Sequence, residues 1–249
     1  MILAVVQARM GSSRLPGKVM REVLGKPLIG YLFERLQASR RIQKVILATT
    51  THDSDDALVR YAASHGIEVF RGSENDVLDR IYQAVKAYKP KALVRVTADS
   101  PLSDHQLIDQ AIDYFLTGGF DYVSSGANPP AFPDGLDTEV FSFQALERAW
   151  KEAKLKSERE HVTAYIKKSK DLKLGDFKAD QDYSDERWVV DNEEDFILIK
   201  AILENLYKPG VYFGLNEILA FKNKNPELFL INRHIQKNEG YQKSLKEDA

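Results

Sequence analysis

Short, almost unbroken apolar runs alternate with stretches of helical spacing through the first half of the chain. Ile2-Leu3-Ala4-Val5-Val6, Val45-Ile46-Leu47-Ala48 and Ala92-Leu93-Val94-Arg95-Val96 have the continuity of strands covered on both faces. Between the first two runs, Pro27 to Ser39 carries Leu28, Leu32 and Leu36 at helical intervals. Ser54 to His65 follows the second with Leu58, Tyr61 and Ala62, and Gly66 stands where a C-cap glycine ends a helix. Ile67 to Phe70 reads as a further short strand. The pattern is βαβαβ, so the expected architecture is α/β: a mainly parallel sheet, doubly wound, in three layers with right-handed crossovers. A helix from Ser103 to Leu116 aligns Leu107, Ile108, Ala111, Ile112 and Phe115 on one side, with Ser103 as its N-cap, and Tyr122-Val123 starts another strand.

The second half is less regular. Gly126-Ala127-Asn128-Pro129-Pro130 and Phe132-Pro133-Asp134-Gly135 are rich in turn formers and read as a loop over the sheet. Beyond it the pattern predicts a strand at Thr138 to Phe141, helices at Gln144 to Ala153 and Glu158 to Lys168, and a strand pair at Leu172 to Phe177 and Arg187 to Val190. A long helix from Asn192 to Leu206 follows, and the polar end, KNEGYQKSLKEDA, reads as frayed. The expected organisation is one domain over 1–249, in two halves (about 1–125 and 126–235) followed by a polar tail (about 236–249).

Composition narrows the function. With 249 residues, 35 Lys and Arg against 37 Asp and Glu, the chain has no net positive field, which argues against nucleic acid as a partner. The absence of cysteine excludes disulfides, zinc thiolates and thiol nucleophiles, and suits the cytoplasm. The opening MILAVVQARMGSSR reads as a first strand and not a signal peptide. No apolar stretch reaches the length that crosses a membrane.

The chemistry concentrates after the first strand, in Gln7-Ala8-Arg9-Met10-Gly11-Ser12-Ser13-Arg14-Leu15-Pro16-Gly17-Lys18. This segment leaves the carboxyl end of a buried strand, where doubly wound sheets bind ligands. Gly11, Ser12 and Ser13 are small enough to turn backbone N–H groups towards phosphate oxygens, and Arg9, Arg14 and Lys18 supply charge-assisted donors. The glycines fit neither the Walker spacing nor the dinucleotide fingerprint. An ordinary basic surface loop is the alternative, and three cations within ten residues favour phosphate.

The loop resembles the signature of the cytidylyltransferase family that includes the acylneuraminate and KDO cytidylyltransferases, and within it the spore coat polysaccharide biosynthesis branch. The resemblance extends to Val77-Leu78-Asp79-Arg80, Arg95 to Leu102, Phe132 to Phe141, Arg159-Glu160-His161-Val162-Thr163 and Val190 to Asp195, in order along nearly the whole chain. It implies a Rossmann-like fold of the nucleotide-diphospho-sugar transferase kind and transfer of CMP from magnesium-bound CTP to a sugar or sugar acid, with release of pyrophosphate. Arg9, Arg14, Lys18 and Asp99 would be catalytic. Gln7, Ala8, Arg9, Gly11, Ser12, Ser13, Arg14, Lys18, Arg71 and Arg80 would bind the nucleotide. Asp99 and Asp191 would hold the Mg2+, and Asp137, Glu139, Arg159 and His161 would face the acceptor. Homodimers are common among the relatives, and the resemblance extends that expectation here.

Plainer readings compete residue by residue. Asp99 before Pro101 could be a turn aspartate, Asp191 could cap the helix that follows, and Arg71 could be a salt-bridged surface arginine. Asp53-Ser54-Asp55-Asp56 resembles the Asp-x-Asp of glycosyltransferases but opens a predicted helix, where acidic residues belong for electrostatic reasons. Trp150 and Trp188 read as core. Two other functions fit the architecture: a glycosyltransferase that consumes a nucleotide sugar, and a non-catalytic nucleotide-binding subunit. Met10 and Leu15-Pro16-Gly17 depart from the sialic acid enzymes, which leaves the acceptor open.

Overall fold

The structure, a computed structural model, describes residues 1–126, 131–237 and 239–248. The expected loop residues Ala127, Asn128, Pro129 and Pro130 lie outside them. The first half runs β1 (Ile2–Gln7), a small hairpin of β2 (Glu22–Val23) and β3 (Lys26–Pro27), α1 (Leu28–Gln37), β4 (Lys44–Thr50), α2 (Asp56–Ser64), β5 (Glu68–Gly72), α3 (Val77–Val85), β6 (Ala92–Thr97), α4 (His105–Gly118) and β7 (Tyr122–Ser124). The second half adds β8 (Glu139–Ser142), α5 (Phe143–Glu152), α6 (Lys156–Glu160), α7 (Ala164–Lys168), β9 (Leu174–Asp176), α8 (Glu193–Leu206), α9 (Leu215–Lys224) and α10 (Glu239–Glu247).

Seven strands form one sheet in the order β5-β4-β1-β6-β8-β7-β9. The first four are parallel, β8 runs antiparallel to both neighbours, and β9 is parallel to β7. Gln7 lies level with Ala48 on one side and Thr97 on the other, so three parallel strands end together at one edge of the sheet. From β1 the chain moves to β4 and β5 on one side, then returns to β6 on the other. That reversal opens a crevice between the ends of β1 and β6.

Both faces of the parallel strands are buried, which is why their sequences are apolar without alternation. Ala4, Val6, Val94 and Val96 face α1, α2 and α4 through Ile29, Phe33, Leu58, Ile108 and Ile112. Leu3, Val5 and Leu93 face α3 and α5 through Leu78, Ile81 and Leu146. A third core under α8 and α9 joins Trp188, Val190, Ile199 and Ile202 to Leu28 and Tyr31. Each fully buried aliphatic or aromatic side chain contributes roughly 1.5–3 kcal/mol.

Several elements depart from the expectation. Asp104, not Ser103, caps α4, accepting from the Gln106 and Leu107 N–H groups. The helix expected over Glu158 to Lys168 breaks into α6 and α7 at His161-Val162-Thr163. Two β-branched residues lower helix propensity there, and the Thr163 hydroxyl donates to Glu139 instead (2.8 Å). Arg187 to Val190 is not half of a strand pair: it makes a single bridge, Arg187 to Asp134. The polar end is not frayed, since α10 docks on α6: Ser244 donates to Glu160 (2.8 Å), and Asp248 accepts from the Ser157 N–H (3.0 Å). The hairpin, α3 and α9 were not anticipated. Trp188 is fully buried, while Trp150 is half-buried, stacks on Tyr82 and donates to Asp79.

Candidate active site

The loop after β1 is pinned before it reaches the crevice. Its Met10 N–H donates to the buried Asp55 carboxylate at 2.7 Å, while the Met10 carbonyl accepts from the N–H groups of Ser12 (2.9 Å) and Gly17 (3.0 Å). Some of the N–H groups expected to cradle phosphate therefore close the loop on itself. Asp55 takes three further donors, from the Thr49 and Thr50 hydroxyls and the Thr50 N–H. Burial would raise its pKa, but these hydrogen bonds, with Thr50 first, hold it below the usual carboxylate range. Asp55 is thus an anchor for the loop, a role hidden in a run of acids that resembled a helix start.

Gly17, at φ 68°, turns the chain so that Lys18 points back into the crevice. Lys18 is only 9 % exposed. Its ammonium donates to Asp99 Oδ2 (3.0 Å), Asp191 Oδ1 (2.8 Å) and the Val190 carbonyl (2.7 Å). Burial by itself would lower the lysine pKa, but the Asp99 and Asp191 carboxylates more than offset it and hold the ammonium above its usual range. Asp99 follows β6 and Asp191 precedes α8, so three distant segments meet at one charged group. The Val190 N–H donates to the Asp99 carbonyl (2.8 Å) and ties the two carboxylate-bearing segments together.

Asp191 is held from behind. Its second oxygen faces Arg14 (3.2 Å) and Arg187 (3.1 Å). Burial would raise it, yet Lys18, then Arg14 and Arg187, keep it well below the usual carboxylate range. Asp195 accepts from the N–H groups of Asp191 (2.9 Å) and Asn192 (3.0 Å) and from Nε and Nη2 of Arg187 (2.9 Å each). Arg187 also reaches Asp134 at 2.9 Å. Arg187 and Asp195 are thus supporting residues to which the sequence reading gave no role, because neither spacing nor charge type distinguishes a buried ion pair eight residues apart from surface ions.

The two carboxylates fit a divalent cation. Asp99 Oδ1 is buried and has no hydrogen-bond partner among the described residues, an orphaned anion oxygen. Two carboxylates are the protein share that magnesium usually takes when phosphates and waters complete its shell. No group of three or more acidic, histidine or cysteine side chains competes with this pair among the described residues.

The other predicted residues fall into neighbouring clusters. Gln7 accepts from Arg95 (3.1 Å), and Ala8 is buried, its N–H on the Ala48 carbonyl (3.3 Å). Gly11 and Ser13 lie exposed on the loop, and the Ser12 hydroxyl accepts from the Leu15 N–H (3.3 Å). Three cations grip the segment between β5 and α3: Arg9 pairs with Glu74 (3.0 Å), Arg80 donates to the Ser73 carbonyl, and Arg159 pairs with Asp76 (2.6 Å). Burial, and then the Arg9 guanidinium, bring Arg80 down to about 10. Arg71 braces the end of β4, binding the Thr50 and His52 carbonyls and Asp56. Beside this segment an open depression of about 340 Å³ is lined by Thr50, Thr51, His52, Asp53 and Glu74.

On the far side of β6, Glu139 accepts from Arg95 (2.7 Å), Tyr122 (2.7 Å), Thr163 (2.8 Å) and Lys167 (2.8 Å). Burial would raise it, but Lys167 and Arg95 hold it below the usual carboxylate range. Asp137 stands open at the rim, yet desolvation by the surrounding protein, then Asp134 and Glu139, push it up to about 7. His161 is half-buried under α10, its Nε2 3.0 Å from Ser244 Oγ. The structure thus brings Arg14, Lys18, Asp99 and Asp191 together, and keeps Arg159 and His161 in structural contacts with Asp76 and Ser244.

The family described as Cytidylyltransferase matches residues 3–235 of this chain. The chain belongs to the cytidylyltransferase family. Spore coat polysaccharide biosynthesis protein SpsF of Bacillus subtilis is 34 % identical over 91 % of this chain and 95 % of its own length. An uncharacterized protein of Methanocaldococcus jannaschii, MJ1063, is 39 % identical over 99 % of this chain and 98 % of its own. A solved cytidylyltransferase from Leptospira borgpetersenii superposes with a TM-score of 0.86 at 31 % identity, covering 92 % of this chain and 96 % of that one. As a cytidylyltransferase, this protein is a nucleotidyltransferase enzyme, and the doubly wound α/β architecture is that of its family. No helix among the described residues is long and apolar enough to cross a membrane.

Proposed function

We propose that this cytidylyltransferase joins CMP from CTP to a hydroxyl of a sugar or sugar acid and releases pyrophosphate, supplying an activated precursor for a polysaccharide. The observation that carries the proposal is the meeting of Lys18, Asp99 and Asp191 in the crevice between β1 and β6, beside a loop that also bears Arg9 and Arg14. Asp99 and Asp191 would hold a magnesium ion, which supplies charge neutralisation on the triphosphate when bound. Lys18 and Arg14 donate to phosphate oxygens and stabilise negative charge as the pyrophosphate departs. The acceptor oxygen forms a bond to the α-phosphorus, the bond from that phosphorus to the bridging oxygen breaks, and the acceptor proton leaves. Asp55 keeps the loop in place, so the donors are oriented before substrate arrives.

The depression lined by Thr50, Thr51, His52, Asp53 and Glu74 suits the base, and the rim carrying Asp137 suits the acceptor. Pyrophosphate release, measured with each of the four nucleoside triphosphates against a panel of sugars and sugar acids, tests the reading. Release that requires CTP, an acceptor and magnesium supports it. Consumption of a nucleotide sugar without pyrophosphate would identify a glycosyltransferase, and nucleotide binding with no turnover across the panel would identify a binding subunit.

A further inference from the structure

The Lys18 ammonium has three protons and three oxygens around it, two of them from the carboxylates assigned to the metal. Resting on the proposed metal role of Asp99 and Asp191, we infer that Lys18 is the resident cation of the crevice and must be exchanged before a divalent ion can enter, so that the metal is accepted with its triphosphate and not on its own. Lys18 is then a selectivity residue for the metal–nucleotide complex as well as a phosphate ligand.

The physical basis is a competition for the same lone pairs. Magnesium sits about 2.0–2.1 Å from its oxygen ligands and needs both carboxylates turned towards it. Lys18 holds one oxygen of each, and an ammonium left alongside would repel the ion. Displaced without a substitute, the ammonium loses three acceptors at a site only 9 % exposed, where water cannot replace them at full strength. A triphosphate changes that balance, because its oxygens accept the three released protons. Arg14 and Arg187 add to the effect: they hold the other oxygen of Asp191, so both oxygens of this carboxylate already face cations. Among the described residues Asp99 Oδ1 is the one oxygen of these two carboxylates without a partner, and one free oxygen is not a complete site.

The test is Mn2+ binding to the nucleotide-free protein, followed by loss of the free-ion signal in electron paramagnetic resonance. Lys18→Met keeps the length of the stem and removes the charge. It is expected to bind Mn2+ more tightly than the unmodified protein by a factor on the order of 5–150, the usual span of coupling between two ligands. Adding Asp99→Asn to Lys18→Met should abolish the gain. Equal affinity in the unmodified and Lys18→Met proteins overturns the inference.

A measurement on the unmodified chain covers the case in which the variant fails to fold. The slowly exchanging Lys18 ammonium resonance, observed by 15N-lysine NMR, should persist when Mg2+ is added alone and shift when Mg2+ is added with inorganic triphosphate. A shift with Mg2+ alone overturns the exchange. Neither probe contains a nucleoside, so failure of the CTP assignment leaves both readouts standing, and their failure leaves that assignment to its own assay.

Discussion

Lys18, Asp191 and Arg187 form a chain of alternating charge in which each member is held by the next. Lys18 is the one proposed to reach the reaction. Lys18→Ala should lower turnover at saturating CTP by roughly 10²- to 10³-fold, the effect of removing one oriented donor at a site of developing charge. Steady-state pyrophosphate release measures it, and unchanged turnover would remove Lys18 from the chemistry. Asp195 acts one step back. It is fully buried and answers Arg187 with both oxygens, so Asp195→Asn leaves a buried cation short of its partner. Loss of one member of such a pair costs about 3–5 kcal/mol, or roughly 10 °C in Tm for a domain of this length. A thermal melt of the variant checks this.

Asp137 makes a separate prediction through pH. Its folded pKa of about 7 lies above the unfolded carboxylate value. Below about pH 4 both states are protonated and the residue is neutral to stability; as pH rises towards 7 the unfolded state releases its proton first, so stability falls. Above 7 the penalty is constant. Asp137→Asn should therefore melt with the unmodified protein at pH 4 and above it at pH 8, by a modest margin because the side chain is open to solvent. Differential scanning calorimetry at the two pH values decides it; an equal difference at both would show that ionisation of Asp137 is not the cause.

Elements differ in how legibly their residues announce them. The parallel strands and α1, α2 and α4 were readable because their burial is continuous or one-sided, and periodicity reports burial directly. Arg187 to Val190 misled because apolar residues buried under α8 and α9 resemble a strand in composition while making one bridge. The end of the chain misled in the opposite sense: α10 is polar, and its attachment rests on specific hydrogen bonds and ion pairs that no hydropathy pattern displays. Removing residues 239–249 should release Ser157, Glu160 and His161 to solvent. Hydrogen exchange should then rise in α6 while β1, β4 and β6 keep their protection; unchanged exchange in α6 would show that α10 contributes nothing to it.

For the molecule as a whole, the geometry of the candidate site was legible wherever the topology of the sheet fixes position. The loop after β1 and Asp99 after β6 sit at strand ends that topology alone brings together, so Arg14, Lys18 and Asp99 could be named as neighbours. The roles of Asp55, Arg187 and Asp195 were not legible, because each supports a functional group through contacts across many residues of chain: Asp55 to Met10, Arg187 to Asp134, Asp195 to Asn232. Arg159 was named for the acceptor on the family resemblance alone; in the structure it pairs with Asp76 at 2.6 Å.

The antiparallel β8 slots between β6 and β7, although it follows β7 in the chain. During synthesis, then, a growing polypeptide that has completed β5-β4-β1-β6 ends on an uncovered β6, whose Leu93 and Val94 are apolar and whose backbone groups still seek partners. That ribbon stays adhesive until Glu139–Ser142 emerges from the ribosome and zips onto it. A pause in translation just before that point would prolong the time for which this edge stands open to other chains.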